Sequence, residues 1–240
     1  MIDLQELSKK VRETLHSIPG YVAIKEIFKQ LPSEYKFYVV GGILRDTIKG
    51  RQSKIKDMDV LVEYGNTQYI YNILKDKGIV RKSMLGSIKF SPAGIDFAFD
   101  IWRVEDSMLE EGEEPTVENA LKKFDITANA VAYEFFNGRI VDPIGGLQAI
   151  EDNIIEVIPH KGNEPIAWRV ILRCIKYAVK LDAKITEKTK EWMRAHSYQL
   201  DNVSDDEIKY VLRGIEKFNK NKAFERLYEE ILGRPFIVKL

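Results

Sequence analysis

The chain has few of the residues on which the commonest enzyme sites depend. Its 240 residues include one cysteine and three histidines, and the histidines are widely separated at positions 16, 160 and 196. The single cysteine, Cys174, excludes an internal disulfide, and the scattered histidines argue against a histidine-rich metal centre. The chain also lacks P-loop, G-x-S-x-G and C-x-x-C patterns. These absences exclude most of the common enzyme classes.

Long apolar runs and an excess of charge of one sign are also missing. No apolar stretch reaches the roughly 18 residues that span a bilayer, and the N-terminal segment has the pattern of a charged, amphipathic helix rather than a signal peptide. Lys plus Arg equals Asp plus Glu at 37 each, so any contact with a polyanion needs a local basic patch. We therefore expect a soluble, cytoplasmic protein without a membrane partner.

A glycine pair follows the first predicted strand. A short apolar run leads into Gly41 and Gly42, and the helical turn after them carries Arg45. Adjacent glycines let the backbone approach phosphate oxygens closely, and the free amides at a helix start point toward an anion. An arginine side chain can donate two parallel hydrogen bonds to a phosphate. The order predicts a triphosphate cradle. The alternatives are an ordinary strand-to-helix turn and, for Arg45, a salt bridge to Asp46 or Asp57.

Two aspartates begin the next predicted strand. Asp57 and Asp59 are two residues apart, so both side chains project from one face, where a divalent cation would relieve their repulsion. Two metal ions about 3.5–4 Å apart need a third carboxylate. The predicted strand at 95–103 offers Asp96 and Asp100 on one face. We choose Asp100, which is flanked by apolar residues, and expect Asp96 to lie at the surface.

The set of motifs resembles one known family. An apolar strand followed by G-G-x-x-R-D and D-x-D is similar to the head domain of class II tRNA nucleotidyltransferases (the CCA-adding enzymes) and bacterial poly(A) polymerases, within the polymerase-beta-like superfamily. Three later segments resemble family blocks in the same order: KKFDITANA at 122–130, RIVDPIGGL at 139–147 and LRCIKYA at 172–178. The resemblance spans nearly the whole chain.

The resemblance implies an α+β fold with two domains. A polymerase-beta-like nucleotidyltransferase head, with a mixed sheet flanked by helices, would occupy residues 1–158, and an all-α neck domain would occupy 159–240. The boundary itself is drawn from the sequence, which looks purely helical after Pro159. Helices are predicted near 164–181, 186–197, 204–219 and 221–231. The acidic segment from Glu105 to Glu118 is predicted to be a mobile loop whose composition reflects solvation alone.

The resemblance also implies roles for the matched residues. The aspartate pair would hold catalytic magnesium, with two Mg²⁺ ions expected, and the glycine pair and Arg45 would contact the triphosphate of an NTP substrate, ATP and/or CTP. Asp125 and Asn129 would contact the sugar of that nucleotide. The alternatives for these two residues are a helix cap for Asp125 and a turn-stabilising amide for Asn129.

One family motif is altered in this chain. The base-reading motif E-D-x-x-R corresponds to NEPIAWR at 163–169, where the aspartate is missing and the arginine is out of step by one. Base selectivity is therefore not carried over. Arg169, Arg173, Lys176 and Lys180 recur at helical spacing and form a basic stripe. We expect Arg169 and Arg173 to contact triphosphate or RNA and Lys180 to face solvent; a solvated helix face is the alternative.

These features predict a Mg-dependent nucleotidyltransferase. It would transfer NMP from ATP and/or CTP to the 3′ hydroxyl of an RNA, in tRNA CCA-end addition or repair or in poly(A)-type tailing, and release pyrophosphate. The expected partner is an RNA 3′ end, such as that of a tRNA or a tRNA-like acceptor. A homo-oligomer is an option, since a second copy could replace the family's body and tail domains. Two alternatives stay open: the same chemistry on a small molecule or protein, and a catalytically inactive nucleotide- or RNA-binding module.

Overall fold

The chain forms two compact units. The computed structural model describes residues 3–51, 57–83, 86–213, 215 and 221–238. The first unit contains Met1–Phe124 and Asn129–Leu147, and the second contains Asp125–Ala128 and Gln148–Leu240. The boundary predicted between residues 158 and 159 stays a prediction.

A mixed sheet lies at the centre of the first unit. Among the described residues it has seven strands in the order β3-β4-β5-β2-β1-β6-β7, in which β2 and β5 pair in parallel and the other pairings are antiparallel. The strands are β1 (Lys36–Val40), β2 (Asp57–Glu63), β3 (Gly78–Lys82), β4 (Ile88–Pro92), β5 (Ala98–Arg103), β6 (Ala132–Glu134) and β7 (Ile140–Val141). The helices are α1 (Leu4–His16), α2 (Tyr21–Phe28), α3 (Gly42–Ile48), α4 (Thr67–Leu74) and α5 (Val117–Leu121). The predicted mixed sheet flanked by helices is confirmed.

Alternation at the start of β2 separates apolar side chains from an acidic one. Met58 and Val60 of β2 and Phe99 of β5 are fully buried. Asp59, which lies between the two β2 residues, projects from the opposite face. Because the side-chain period of a strand is two residues, a register shift of one residue would exchange these faces, so burial of the apolar set fixes the position of the carboxylate.

A helix with one broad apolar face organises the second unit. The helix α7 (Ala167–Leu181) packs against α8 (Glu187–His196), α9 (Asp205–Leu212) and α10 (Asn221–Leu232). Cys174 lies on its buried face, and burial raises the pKa of the thiol far above neutrality. The thiol is therefore protonated at physiological pH and contributes to packing rather than to nucleophilic chemistry. A further short helix, α6, spans Gly146–Glu151.

The expectation of a purely helical chain after Pro159 is wrong at one place. Lys184 and Ile185 form a short strand, β9, which pairs in parallel with β8 (Ile154–Ile155). Asp182 adopts a left-handed backbone conformation at the end of α7, and Ile185 is buried. A strand of two residues shows no alternation in the sequence, so only its tertiary pairing reveals it.

Two further expectations need adjustment. The acidic segment at 105–118 is not explained by solvation alone, because the nearly buried ammonium of Lys123 lies 2.8 Å from Glu113 and 3.6 Å from Glu110. The helix predicted at 204–219 ends at Leu212, and positions 214 and 216–219 lie outside the described residues. No helix in the described part of the chain is long and apolar enough to cross a membrane.

Candidate active site

Strand register places the three predicted carboxylates on one face of the sheet. Asp59 lies directly opposite Asp100 in the parallel pairing of β2 with β5, and Asp57 lies two residues before Asp59. Neighbouring strands are about 4.8 Å apart, so Asp59 and Asp100 are adjacent. Asp96 is exposed, as expected, but β5 begins only at Ala98. The prediction that Asp96 and Asp100 share one strand face is therefore wrong.

The carboxylate of Asp100 has an unusual environment. Its Oδ1 atom is buried and has no hydrogen-bond partner within the described residues. A buried carboxylate oxygen without a donor is costly, and a cation is the ligand that relieves this cost. Carboxylate oxygens are also the donors that Mg²⁺ prefers. The orphaned oxygen and the donor chemistry fit a hard cation, although no group of three or more His, Cys, Asp or Glu side chains in the described ranges is arranged to hold one.

The glycine turn packs directly against this acidic face. Gly41 has φ 78° and ψ −146°, a region of backbone space that is essentially restricted to glycine. A Cβ atom added at Gly41 would lie 3.1 Å from Oδ2 of Asp59. The helix α3 begins at the next residue, Gly42, and the first amides of a helix lack partners within the helix. The turn therefore brings a helix start next to a carboxylate.

Arg45 braces the turn from inside. Its side chain is buried; Nε donates to Oδ1 of Asp46 at 3.0 Å, and Nη2 lies 2.9 Å from the same oxygen. Nη1 donates to Oδ1 of Asn129 at 2.6 Å, and a Cβ atom on Gly42 would lie 3.2 Å from Nη2. The salt bridge with Asp46 is thus the alternative that forms. Arg45 and Asn129, predicted to contact phosphate and sugar respectively, are bonded to each other.

Removal of this brace should destabilise the protein. We expect Arg45→Ala to lower the free energy of unfolding by about 3–5 kcal/mol, because the buried carboxylate of Asp46 would lose its cation. Urea unfolding measures the effect. The matched control is Lys29→Ala, which breaks an ion pair with Glu26 in which both side chains are more than half exposed, and which should cost less than about 1 kcal/mol. Equal losses from the two variants would contradict the assignment of Arg45 as a buried brace.

The second unit holds its own ion pair. Nε of Arg173 lies 2.7 Å from Oδ2 of Asp125, and Nη2 donates to the Tyr177 hydroxyl at 2.8 Å. Burial opposes the charged guanidinium, but Asp125 and Tyr177 outweigh it, and the pKa of Arg173 is raised. The other Asp125 oxygen, Oδ1, accepts a hydrogen bond from the amide of Ile126 at 2.9 Å. Two residues predicted to contact substrate therefore form an ion pair with each other.

The remaining residues of the predicted basic stripe have different environments. Arg169 is exposed and lines a groove. The ammonium of Lys176 donates to the carbonyl oxygens of Val211 and Arg213, each at 2.8 Å, at the end of α9. A lysine in that position caps a helix C-terminus. Lys180 is half-buried. The stripe is thus not a uniform solvated face. The groove that contains Arg169 is also lined by Trp168, Asp206, Glu207, Tyr210 and Val211.

Sequence reasoning missed one helix-capping residue and two basic residues that lie in register with Asp100. The carboxylate of Asp142 caps α6 by accepting hydrogen bonds from the amides of Gly146 and Leu147, at 2.6 and 3.0 Å. Lys89 lies opposite Asp100, and Arg81 lies opposite Lys89. The run DPIGG at 142–146 could have indicated the cap, whereas strand register leaves no local signal in the sequence.

Comparisons with known proteins match this chain to one family model and to several named relatives. The family model of the poly(A) polymerase head domain matches residues 37–156, which is half of the chain. The CCA-adding enzyme of Streptococcus pyogenes serotype M2 is 30% identical over 214 residues, covering 85% of this chain and 48% of that enzyme. Poly(A) polymerase I of Salmonella typhi is 23% identical over 232 residues, covering 89% of this chain and 49% of that enzyme. The chain spans about half the length of the curated relatives it matches.

Solved structures show the same fold. A CCA-adding enzyme in complex with CTP superimposes with a TM-score of 0.71 at 21% identity, covering 95% of this chain and 56% of that one. The CCA-adding enzyme of Thermotoga maritima complexed with tRNA superimposes with a TM-score of 0.70 at 20% identity, covering 95% of this chain and 55% of that one. At these identities the likeness concerns the fold alone.

Proposed function

Because this chain belongs to the family of the poly(A) polymerase head domain, we propose that it is a nucleotidyltransferase that adds NMP, from ATP and/or CTP, to the 3′ hydroxyl of an RNA and releases pyrophosphate. One observation carries the proposal: Asp59 lies opposite Asp100 on adjacent strands, and the Gly41 backbone packs against the same Asp59 carboxylate. A carboxylate pair beside a glycine turn combines a cation site with an anion site, which is the combination that phosphoryl transfer needs.

The similar proteins support the choice of substrates. CCA-adding enzyme structures of the same fold include one complex with ATP, one complex with CTP, and the Thermotoga maritima enzyme complexed with tRNA. Relatives of known name include both CCA-adding enzymes and a poly(A) polymerase. An RNA acceptor is common to these two activities, so RNA is the acceptor that we propose for this chain.

Asp57, Asp59 and Asp100 would hold two Mg²⁺ ions. When bound, these ions would polarise the phosphoryl oxygens and make the attacking hydroxyl more acidic. The protein's own contribution is positioning. The amides at Gly41 and Gly42 would donate to the triphosphate, and the buried Arg45 would keep that turn fixed. The acceptor oxygen would attack the α-phosphorus in line with the bond to pyrophosphate, which breaks as the new bond forms.

We also propose roles for the second unit. Asp125 would bind the sugar of the nucleotide, and Arg173 would hold the Asp125 carboxylate in place through the 2.7 Å ion pair. For the first unit taken by itself, we propose that Asn129 binds a nucleotide sugar while it accepts the hydrogen bond from Arg45. Arg169, which is exposed, would contact triphosphate or RNA.

A screen of nucleotides against acceptors tests this function. The protein is incubated in Mg²⁺ with each of the four labelled NTPs and, in turn, with a tRNA that lacks its CCA end, an RNA oligonucleotide, and a cell extract. We expect label from ATP or CTP to appear on RNA. Label on small solutes or on protein would instead support the same chemistry with another acceptor. Tight NTP binding without turnover in Mg²⁺ or Mn²⁺ would contradict the proposal and favour a binding module.

A further inference from the structure

A row of four charged residues crosses the face of the sheet that carries Asp59. Arg81 of β3 lies opposite Lys89 of β4, Lys89 lies opposite Asp100 of β5, and Asp100 lies opposite Asp59 of β2. Residues directly opposite each other on paired strands point to the same side of a sheet. The acidic pair is therefore continued by a basic pair, which extends to β3 at the end of the strand order.

Among the described residues, the basic pair has no ion-pair or side-chain hydrogen-bond partner. Arg81 and Lys89 are both exposed, and neither forms an ion pair or a side-chain hydrogen bond with any residue of the described ranges. Even Oδ1 of Asp100, next to Lys89, has no hydrogen-bond partner there. Like charges directly opposite each other on an antiparallel pair destabilise it. An external anion that binds both side chains would offset this repulsion.

The order of the strands indicates which anion this is. The glycine turn follows β1, which pairs with one edge of β2, whereas β5, β4 and β3 extend from the other edge. In an in-line displacement the leaving group and the attacking oxygen lie on opposite sides of the phosphorus. If the nucleotide's phosphates lie at the glycine turn, the acceptor strand must approach from the side of β5 and β4.

From this arrangement we infer that Arg81 and Lys89 bind the phosphodiester backbone of the acceptor RNA next to its 3′ end. The inference rests on the proposed function and names the surface that receives its acceptor. Lys89 lies one strand spacing of about 4.8 Å beyond Asp100, and Arg81 lies a second spacing further. Contacts of this kind position a nucleic acid without reading its sequence. They also supply a local basic patch in a chain whose net charge is zero.

The test compares the double variant Arg81→Gln/Lys89→Gln with a control on the same hairpin. The control is Lys82→Gln: Lys82 is also exposed on β3 but lies on the opposite face, where its ammonium donates to Gln68 at 2.6 Å. Affinity for a labelled single-stranded RNA oligonucleotide with a free 3′ hydroxyl is measured across a series of salt concentrations. KM for RNA, KM for NTP, and kcat are measured in parallel.

The double variant should show a specific loss of RNA affinity. Each phosphate contact on a single strand contributes about 0.7 to the slope of log affinity against log salt, so the slope should fall by about 1.4 and the affinity by about twentyfold at 0.1 M salt. KM for NTP and kcat at saturating RNA should stay within about twofold of the parent. Lys82→Gln should match the parent in every measurement.

Three results would overturn the inference, and they can be told apart. If the parent extends RNA and the double variant keeps its salt slope and its KM for RNA, the inference is wrong and the proposed function stands. If kcat falls while RNA affinity is unchanged, the two residues act on Asp100 and not on RNA. If the parent neither binds nor extends RNA, both the inference and the proposed function are wrong.

Discussion

Replacement of Asp59 by asparagine should reduce nucleotide incorporation by about 10³-fold or more. Asp59 is adjacent to Asp100 and in contact range of the glycine turn, so its negative charge lies where we propose that cation and triphosphate meet. Asparagine keeps the shape of the side chain but removes its charge. Without metal-assisted charge stabilisation, the transition state loses several kcal/mol of stabilisation, and each loss of about 1.4 kcal/mol lowers the rate tenfold. The measurement is kcat for incorporation of labelled ATP or CTP, with thermal unfolding to show that the variant is folded.

The control for this prediction is another aspartate of the same unit. Asp96 is exposed and precedes β5, so Asp96→Asn changes the net charge equally but leaves the acidic face intact. We expect its kcat to match that of the parent. An Asp59→Asn protein that incorporates nucleotide as fast as Asp96→Asn would show that the Asp59 carboxylate has no part in the reaction.

Gly41→Ala should impair both activity and stability. The backbone at Gly41 lies in a region that costs other residues about 1–3 kcal/mol. The new Cβ atom would also lie 3.1 Å from Oδ2 of Asp59, which is tighter than ordinary van der Waals contact, so the carboxylate or the turn must shift. A displacement of about 1 Å at a reacting centre can lower the rate about 10²-fold. We expect kcat to fall by that factor.

A second glycine separates the two effects. Gly94 also has a positive φ, of 75°, but nothing lies within 4 Å of an added Cβ atom. Gly94→Ala should therefore carry backbone strain without touching the site, and should lose stability while it keeps kcat. If Gly41→Ala and Gly94→Ala reduce kcat equally, the close approach of Gly41 to Asp59 has no functional meaning.

The spacing of aspartates along the sequence was enough to predict that Asp57 and Asp59 lie on one face of the sheet. The period of two along a strand puts Asp57 and Asp59 on one side, and that rule depends on no other part of the chain. A carboxylate among apolar neighbours is costly, which is why the sequence favours Asp100, and one of its oxygens is buried without a hydrogen-bond partner in the described part of the chain. The parallel pairing that brings Asp100 beside Asp59 depends on strands distant in sequence and could not be predicted from either segment alone.

Side-chain partners were less predictable than positions. From the sequence, Arg45 could contact either phosphate or a neighbouring aspartate. Only the fold shows that its guanidinium is buried between Asp46 and Asn129. The same holds for Arg173, whose partner Asp125 lies 48 positions earlier in the chain. Charged groups pair with whichever opposite charge lies near them in space. The spacing of residues along one helix therefore cannot reveal a partner on a different element.

The most direct test of the account is a crystal structure of the protein with Mn²⁺ and a non-hydrolysable ATP or CTP analogue. We predict anomalous density for Mn²⁺ in contact with the carboxylates of Asp57, Asp59 and Asp100, and nucleotide phosphates within hydrogen-bonding distance of the amides at Gly41 and Gly42. A nucleotide bound elsewhere, with no manganese at these three carboxylates, would contradict the account.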